Sequence, residues 1–96
     1  MTKRISILGS TGSIGDSTLD LVRRAAPGEL KVVALTANSN AEKLAAQAIE
    51  FDAEFVALAE DKNATQLRAA LKDTKTEIGI GPDALIEAAS RDADFC

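Results

Sequence analysis

Three glycines separated by hydroxyl residues form the part of the sequence best suited to chemistry. The segment reads Gly9-Ser10-Thr11-Gly12-Ser13-Ile14-Gly15, with the spacing G-x-x-G-x-x-G rather than the strict G-x-G-x-x-G. It follows a short aliphatic run and opens a stretch with helical spacing, which is the context of a phosphate-binding turn. Free N–H groups at a helix start, together with the helix dipole, attract anions. The segment therefore predicts a site for the phosphates of a dinucleotide, although any tight strand-to-helix turn also favours glycine.

Each glycine of this segment has a predicted role. Gly9 permits a sharp exit from the strand, and Gly12 lets the backbone approach a pyrophosphate closely because it has no Cβ. Gly15 lets the following helix pack near the sheet. Hydroxyl donors to the phosphates are expected from Ser10, Thr11 and Ser13. No lysine follows Gly15 and the Walker spacing is absent, which disfavours a P-loop nucleotidase.

A second candidate segment, Asn38-Ser39-Asn40, occupies the place that selects between nucleotide cofactors. Folds that bind NAD usually have Asp or Glu there, about 20 residues after the glycines, to hold the ribose hydroxyls. No carboxylate is present here, so a 2′-phosphate is not repelled and the polar side chains can donate hydrogen bonds to it, with Lys43 as the nearby cation. The segment favours NADP over NAD. Alternatively, it only caps the next helix, because residues 39–42 read S-N-A-E, a capping box.

The remaining pattern supplies the elements that position these segments. Aliphatic runs predict strands at 3–8, 30–35, 55–58 and 77–80, with a fifth opening at 94–96. Helices are predicted from Ile14 to the break at Pro27-Gly28, from Ala41, from a cap at Asp61, and from Pro82. Their predicted apolar faces include Leu21, Val22, Ala41, Leu44, Ala45, Ala48, Ile49, Ala64, Leu67, Leu71, Leu85, Ala88 and Ala89.

The alternation of strands and helices predicts a doubly wound parallel sheet with helices on both faces, which is a Rossmann-like α/β fold. The expected strand order is 3-2-1-4, and the sequence stops at the fifth strand. Because 96 residues suit one domain, residues 1–96 are assigned to a single dinucleotide-binding domain.

Composition excludes several kinds of chemistry. The sequence has no His, Tyr or Trp, and its one cysteine is the last residue, Cys96. A Cys/His zinc site, a Ser-His-Asp or Cys-His nucleophile and a Tyr-Lys pair for carbonyl reduction therefore cannot be built. No catalytic residue and no metal ligand is assigned to the chain.

The balance of charge bears on partners and location. Lys and Arg number 11 against 15 Asp and Glu, which disfavours binding to nucleic acid or a membrane surface. No apolar run is long enough to cross a bilayer, and the fold does not depend on a disulfide. The expected location is the cytoplasm.

The residues around the glycine segment resemble one enzyme family. The similar strings are Ile7-Leu8-Gly9-Ser10-Thr11-Gly12-Ser13-Ile14-Gly15, Ser17-Thr18-Leu19-Asp20 and Val32-Val33-Ala34-Leu35. They look like the N-terminus of the 1-deoxy-D-xylulose 5-phosphate reductoisomerase family. The resemblance runs over essentially the whole chain and about the first quarter of such an enzyme, which implies that catalytic and C-terminal domains are absent here.

The resemblance implies an NADPH-dependent oxidoreductase that converts 1-deoxy-D-xylulose 5-phosphate to 2-C-methyl-D-erythritol 4-phosphate, in the non-mevalonate route to isoprenoids. It implies a homodimer, a sugar-phosphate substrate, and Mg²⁺ or Mn²⁺ held by residues beyond this chain, so that the chain alone has no turnover. The resemblance places NADPH on Thr11, Gly12, Ser13 and Ile14. A further family segment, often Gly-Lys-Asn, aligns with residues 38–40, where only Asn40 matches.

Two other interpretations stay open at this point. The chain could be the NAD(P)-binding part of a short-chain dehydrogenase or epimerase, which selectivity for NAD over NADP would favour. It could also be a non-enzymatic nucleotide-binding module.

Overall fold

Four parallel strands alternate with four α-helices in the computed structural model, which describes residues 3–25 and 28–91 apart from the Ile14 side chain. The strands are β1 (Lys3–Ile7), β2 (Leu30–Ala37), β3 (Phe55–Leu58) and β4 (Glu77–Ile80). The helices are α1 (Ser13–Arg24), α2 (Ala41–Phe51), α3 (Ala64–Leu71) and α4 (Pro82–Ser90). The predicted α/β class is confirmed. The predicted break at Pro27 and the predicted fifth strand lie outside the described residues.

The described strands form one sheet in the order β1-β2-β3-β4. The predicted order 3-2-1-4 is wrong, because the crossover through α3 continues in the direction of the two crossovers before it and adds β4 beyond β3. Successive crossovers in one direction place α1, α2 and α3 on the same face of the sheet, and their apolar residues share one core layer. Helix α4 follows β4 and packs on the opposite face, so helices cover both faces as predicted.

The core lies in two layers, one on each side of the sheet. The larger layer, toward α1–α3, includes Ile7, Leu19, Val32, Leu35, Leu44, Val56, Leu58, Leu67 and Leu71. The smaller layer, toward α4, consists of Val33, Ala34, Phe55, Ala57, Ala84 and Ala88. The register between β1 and β2 shifts after Ile5, where Val33 is an extra residue on β2. This bulge explains why the consecutive residues Val33 and Ala34 both belong to the smaller layer.

Three predicted apolar positions face solvent instead of the core. Leu21 on α1 is 67% exposed and Ile49 on α2 is 56% exposed, and Ala89 on α4 is also exposed. The packing of each helix on the sheet, rather than the apolar spacing alone, decides which side is buried. Helix α1 therefore buries Leu19, and α2 buries the polar residue Gln47 among its alanines.

Two predicted helix caps differ from the structure, although α2 begins at Ala41 as predicted. Asn40 rather than Ser39 caps α2, since its side-chain oxygen accepts a hydrogen bond from the amide of Lys43 at 3.1 Å. Asn is as good a cap as Ser, so the residue directly before Ala41 can take this role. Asp61 does not cap α3, because residues 61–63 form a 3-10 turn first. The side-chain amide of Asn63 in that turn donates a hydrogen bond to the carbonyl oxygen of Ser39 at 2.7 Å.

Candidate phosphate-binding groove

The two predicted segments meet in one groove at the carboxyl ends of β1 and β2. The groove has a volume of about 320 Å³ and is lined by Gly9, Thr11, Gly12, Thr36, Ala37, Asn38, Ser39, Asn40 and Leu85. Three predicted residues of each segment are therefore brought together. The carboxyl ends of the strands are where doubly wound sheets bind their ligands.

Helix α1 begins directly after the glycines of the groove. Gly12 is its N-cap, and no side chain caps this helix start. The first backbone bond of the helix runs from the amide of Asp16 to the carbonyl of Gly12, at 2.9 Å. The amides of Ser13, Ile14 and Gly15 precede that bond, so they can donate to an anion placed at the end of the helix.

The backbone at Gly12 fits a closely bound phosphate group. Its φ of −84° and ψ of 176° suit any amino acid. Among the described atoms, a Cβ there would meet only the carbonyl oxygen of Gly9, at 3.5 Å, which is ordinary contact. The fold itself therefore does not require glycine at this position. A side chain at this position would instead occupy space in the groove that Gly12 lines.

The other two glycines of the segment are required by the fold. Gly9 has a φ of +72°, in the left-handed region that favours glycine, and it makes the predicted sharp exit from β1. A Cβ on Gly15 would overlap the backbone of Ser10. The close approach that Gly15 allows is therefore between α1 and the glycine segment.

The Ser10 side chain points into the protein. Ser10 is fully buried, and its hydroxyl donates to Oε1 of Gln47 at 2.8 Å, with the Thr36 carbonyl oxygen 3.3 Å away. Its amide donates to the same carbonyl at 2.8 Å. The expectation that this hydroxyl adds a donor for phosphates is wrong, because α2 presents an amide acceptor on the buried side. Thr11 lines the groove, and Ser13 is exposed at the start of α1.

A lysine from α2 reaches the glycine segment. The ammonium of Lys43 lies 2.6 Å from Oδ2 of Asp16 and 3.1 Å from the carbonyl oxygen of Thr11. Asp16 stands in the first turn of α1, beside the amides that could bind an anion. The ammonium therefore offsets a carboxylate that would otherwise repel an anion at this helix start.

A second ion pair joins α1 and α2 near their C-terminal ends. Nε of Arg23 lies 2.6 Å from Oε2 of Glu50, and Nη2 lies 3.0 Å from Oε1. The hydrogen bond from the guanidinium lowers the pKa of Glu50, and the same bond raises the pKa of Arg23. This pair and the pair between Lys43 and Asp16 link α1 and α2 near both ends of the two helices.

Sequence reasoning missed three residues that shape the groove. Thr36 lines it and accepts a hydrogen bond from the amide of Gly9 at 2.7 Å, Gln47 holds Ser10, and Leu85 enters from α4. Thr36 is the one hydroxyl residue in the apolar run of β2, and Gln47 is a polar residue within an apolar helical face. Both polar residues interrupt an apolar pattern, so the sequence alone could have indicated that they have a role. Nothing in the sequence singles out Leu85, because its position at the groove depends on where α4 crosses the sheet.

Two negative findings hold for residues 3–25 and 28–91. No group of three or more His, Cys, Asp or Glu side chains in this part of the chain could hold a metal ion. None of the described helices combines the length and apolar character needed to cross a membrane.

Comparisons of the sequence with known proteins agree with each other. Residues 5–96 match the family model of 1-deoxy-D-xylulose 5-phosphate reductoisomerase. The enzyme of that name from Nitrobacter winogradskyi is 55% identical over 93 residues, which are 97% of this chain and 23% of that protein. The enzyme from Bradyrhizobium diazoefficiens is 53% identical with the same coverage. The chain thus spans about a quarter of the length of the curated relatives that it matches.

Solved structures give the same result. The reductoisomerase from Zymomonas mobilis in complex with NADPH superimposes with a TM-score of 0.92 at 40% identity, covering 98% of this chain and 25% of that one. A reductoisomerase in complex with NADPH, fosmidomycin and magnesium gives a TM-score of 0.84 at 41% identity, over 95% of this chain and 22% of that one.

Proposed function

Since the chain belongs to the 1-deoxy-D-xylulose 5-phosphate reductoisomerase family, we propose that it is the NADPH-binding part of an enzyme that converts 1-deoxy-D-xylulose 5-phosphate to 2-C-methyl-D-erythritol 4-phosphate. One observation carries the proposal for this chain: the bare backbone of Gly12 faces the groove, which the polar turn after β2 also lines. The relative from Zymomonas mobilis, at a TM-score of 0.92, is an NADPH complex. The match over residues 5–96 favours this interpretation over a short-chain dehydrogenase or epimerase.

We assign the bridging phosphates of NADPH to the glycine segment. The uncapped amides of Ser13, Ile14 and Gly15 supply donors, and the missing side chain at Gly12 gives the phosphates access to them. Gly9 and Thr11 form the adjoining wall of the groove. Ser10 contributes by holding the segment in place, because both of its own donors are used inside the protein.

The adenosine ribose and its 2′-phosphate are assigned to Asn38, Ser39 and Asn40. This turn carries no carboxylate that would repel a phosphate dianion. The oxygen of Asn40 caps α2, so its NH₂ group is the part that can donate to the ligand. Bound NADPH supplies the hydride for the reduction, and the residues of this chain bind and orient it.

Further properties of the complete enzyme belong to the same proposal. We propose a cytoplasmic homodimer that acts on a sugar phosphate with Mg²⁺ or Mn²⁺ and binds neither nucleic acid nor membranes. The net charge of −4 supports the last point, and magnesium is present in a related reductoisomerase complex. The described residues of this chain do not form a site that fits a metal ion. We treat residues 1–96 as one dinucleotide-binding domain.

Binding of NADPH to the chain tests the proposal directly. The chain has neither Trp nor Tyr, so the fluorescence of NADPH can be followed without interference from protein emission. The matched variant is Gly12→Asp: Asp is a favoured N-cap, so stability should be kept, whereas its carboxylate occupies the phosphate position. We expect NADPH to bind the parent chain and Gly12→Asp to lose at least tenfold in affinity. No binding by the parent chain, or equal binding by both, would overturn the assignment.

A chimera tests the activity. This chain replaces the matching 23% of the Nitrobacter winogradskyi enzyme, and turnover of 1-deoxy-D-xylulose 5-phosphate with NADPH is measured. We expect the chimera to be active, the Gly12→Asp chimera to have a raised KM for NADPH, and the 96-residue chain alone to have no turnover. A folded but inactive chimera would contradict the proposed function.

A further inference from the structure

The side chain of Gln47 holds Ser10 by both ends of its amide group. Its Oε1 accepts the Ser10 hydroxyl at 2.8 Å, and its Nε2 donates to the Ser10 carbonyl oxygen at 2.8 Å. Gln47 is only 7% exposed and Ser10 is fully buried. Two hydrogen bonds shielded from water define a single relative orientation of α2 and the glycine segment, because each loses its partner if either part rotates.

Other contacts converge on the same residue. The amide of Ser10 donates to the carbonyl oxygen of Thr36 in β2, at 2.8 Å. Gly15 of α1 packs so closely on Ser10 that a Cβ has no room there. Ser10 is thus held by β2, α1 and α2 at once, and it lies between Gly9 and the groove-lining residues Thr11 and Gly12.

We infer that Gln47 is a positioning residue for the phosphate-binding segment, through which it sets the affinity for NADPH without touching the ligand. The inference rests on the proposed function. It follows from preorganisation: amides that already point into the groove do not have to be ordered when the ligand binds. Loss of the amide of Gln47 leaves the buried carbonyl and hydroxyl of Ser10 without that partner, and the segment gains alternative orientations.

The test compares two ligands that differ in the bridging phosphates. NADPH contains them, and adenosine 2′-monophosphate lacks them while keeping the groups assigned to the turn after β2. The variants are Gln47→Leu and Ser10→Ala in the full chain. Gln66→Leu makes the same substitution at an exposed position of α3 and is the matched control. Affinities are measured by nuclear magnetic resonance titration, with folding followed by thermal melting.

Gln47→Leu is expected to lower the affinity for NADPH about tenfold and to change the affinity for adenosine 2′-monophosphate less than about twofold. Ser10→Ala removes one of the two hydrogen bonds between Ser10 and Gln47 and should lower the affinity for NADPH about threefold. Gln66→Leu should leave that affinity unchanged. In the Ser10→Ala background, Gln47→Leu should lower the affinity for NADPH by a smaller factor than it does in the parent chain, because the two side chains act as a pair.

The outcomes separate this inference from the proposed function. If the parent chain does not bind NADPH, the proposed function fails and this inference fails with it. If the parent chain binds NADPH but Gln47→Leu leaves its affinity unchanged, or weakens both ligands equally, only the positioning role is overturned. Should Gln47→Leu fail to fold, Ser10→Ala decides by the same comparison of ligands.

Discussion

The hydroxyl oxygen of Thr36, near the end of β2, accepts a hydrogen bond from the amide of Gly9 at 2.7 Å. The carbonyl oxygen of the same threonine accepts the amide of Ser10 at 2.8 Å. One residue of β2 therefore fixes two consecutive amides of the glycine segment. Its side chain accepts from the amide of Gly9, and its backbone carbonyl accepts from the amide of Ser10. This is how a turn that contains three glycines keeps one conformation where it leaves β1.

Replacement of Thr36 by Val tests this bond while keeping the shape of the side chain. The amide of Gly9 then loses its acceptor, which should lower the free energy of unfolding by about 1–2 kcal/mol. Hydrogen exchange of the Gly9 amide should become much faster. Thr36→Ser keeps the hydroxyl and should preserve the slow exchange, so a Ser variant that exchanges as fast as the Val variant would contradict the role of the hydroxyl.

Gly15→Ala should destabilise the protein even though alanine is the better helix former. Intrinsic propensity alone predicts a gain of about 1 kcal/mol for this change within a helix. The new Cβ would overlap the backbone of Ser10, which cannot move without breaking its bonds to Gln47 and Thr36. We expect a net loss of about 1–3 kcal/mol in denaturant unfolding. Ser17→Ala, at an exposed site of α1, is the control, and a stabilised Gly15→Ala would refute the close contact.

Local patterns were enough to predict much of the fold. The bounds of β3 and β4 agree with the predicted runs at 55–58 and 77–80. The glycine segment lies between β1 and α1 as predicted, and Pro82 begins α4. All of these features depend on neighbouring residues only.

Features that depend on distant residues were not predicted. The place of β4 beyond β3 is decided by the direction of the crossover through α3, and no residue of β4 specifies that direction by itself. The entry of Leu85 into the groove follows from the same arrangement. The inward direction of the Ser10 hydroxyl depends on Gln47, which is 37 residues away in the sequence.

Asn38→Asp should shift the cofactor preference from NADPH toward NADH. Asn38 lines the groove and is exposed, so the change adds a charge at nearly constant shape. A carboxylate near the 2′-phosphate should cost about 1 kcal/mol, or about fivefold in the ratio of the two dissociation constants. Salt should reduce this shift, because it screens exposed charges. Gln66→Glu, the same kind of change on α3, is the control. An unchanged ratio would place the 2′-phosphate elsewhere.

Acid should weaken the ion pair between Arg23 of α1 and Glu50 of α2. The hydrogen bond from Arg23 keeps the pKa of Glu50 below its ordinary value of 4.5, so the folded state favours the charged carboxylate. The stabilisation is fully present above pH 4.5 and is lost as the pH falls through the lower pKa of the folded state. The melting temperature of the parent chain should therefore fall more steeply below this pH than that of Glu50→Gln. The difference should be small and should shrink with salt, because the pair is exposed. Glu42→Gln, at another exposed glutamate of α2, should retain the parent slope, and a Glu50→Gln variant with that same slope would show that the ion pair does not contribute.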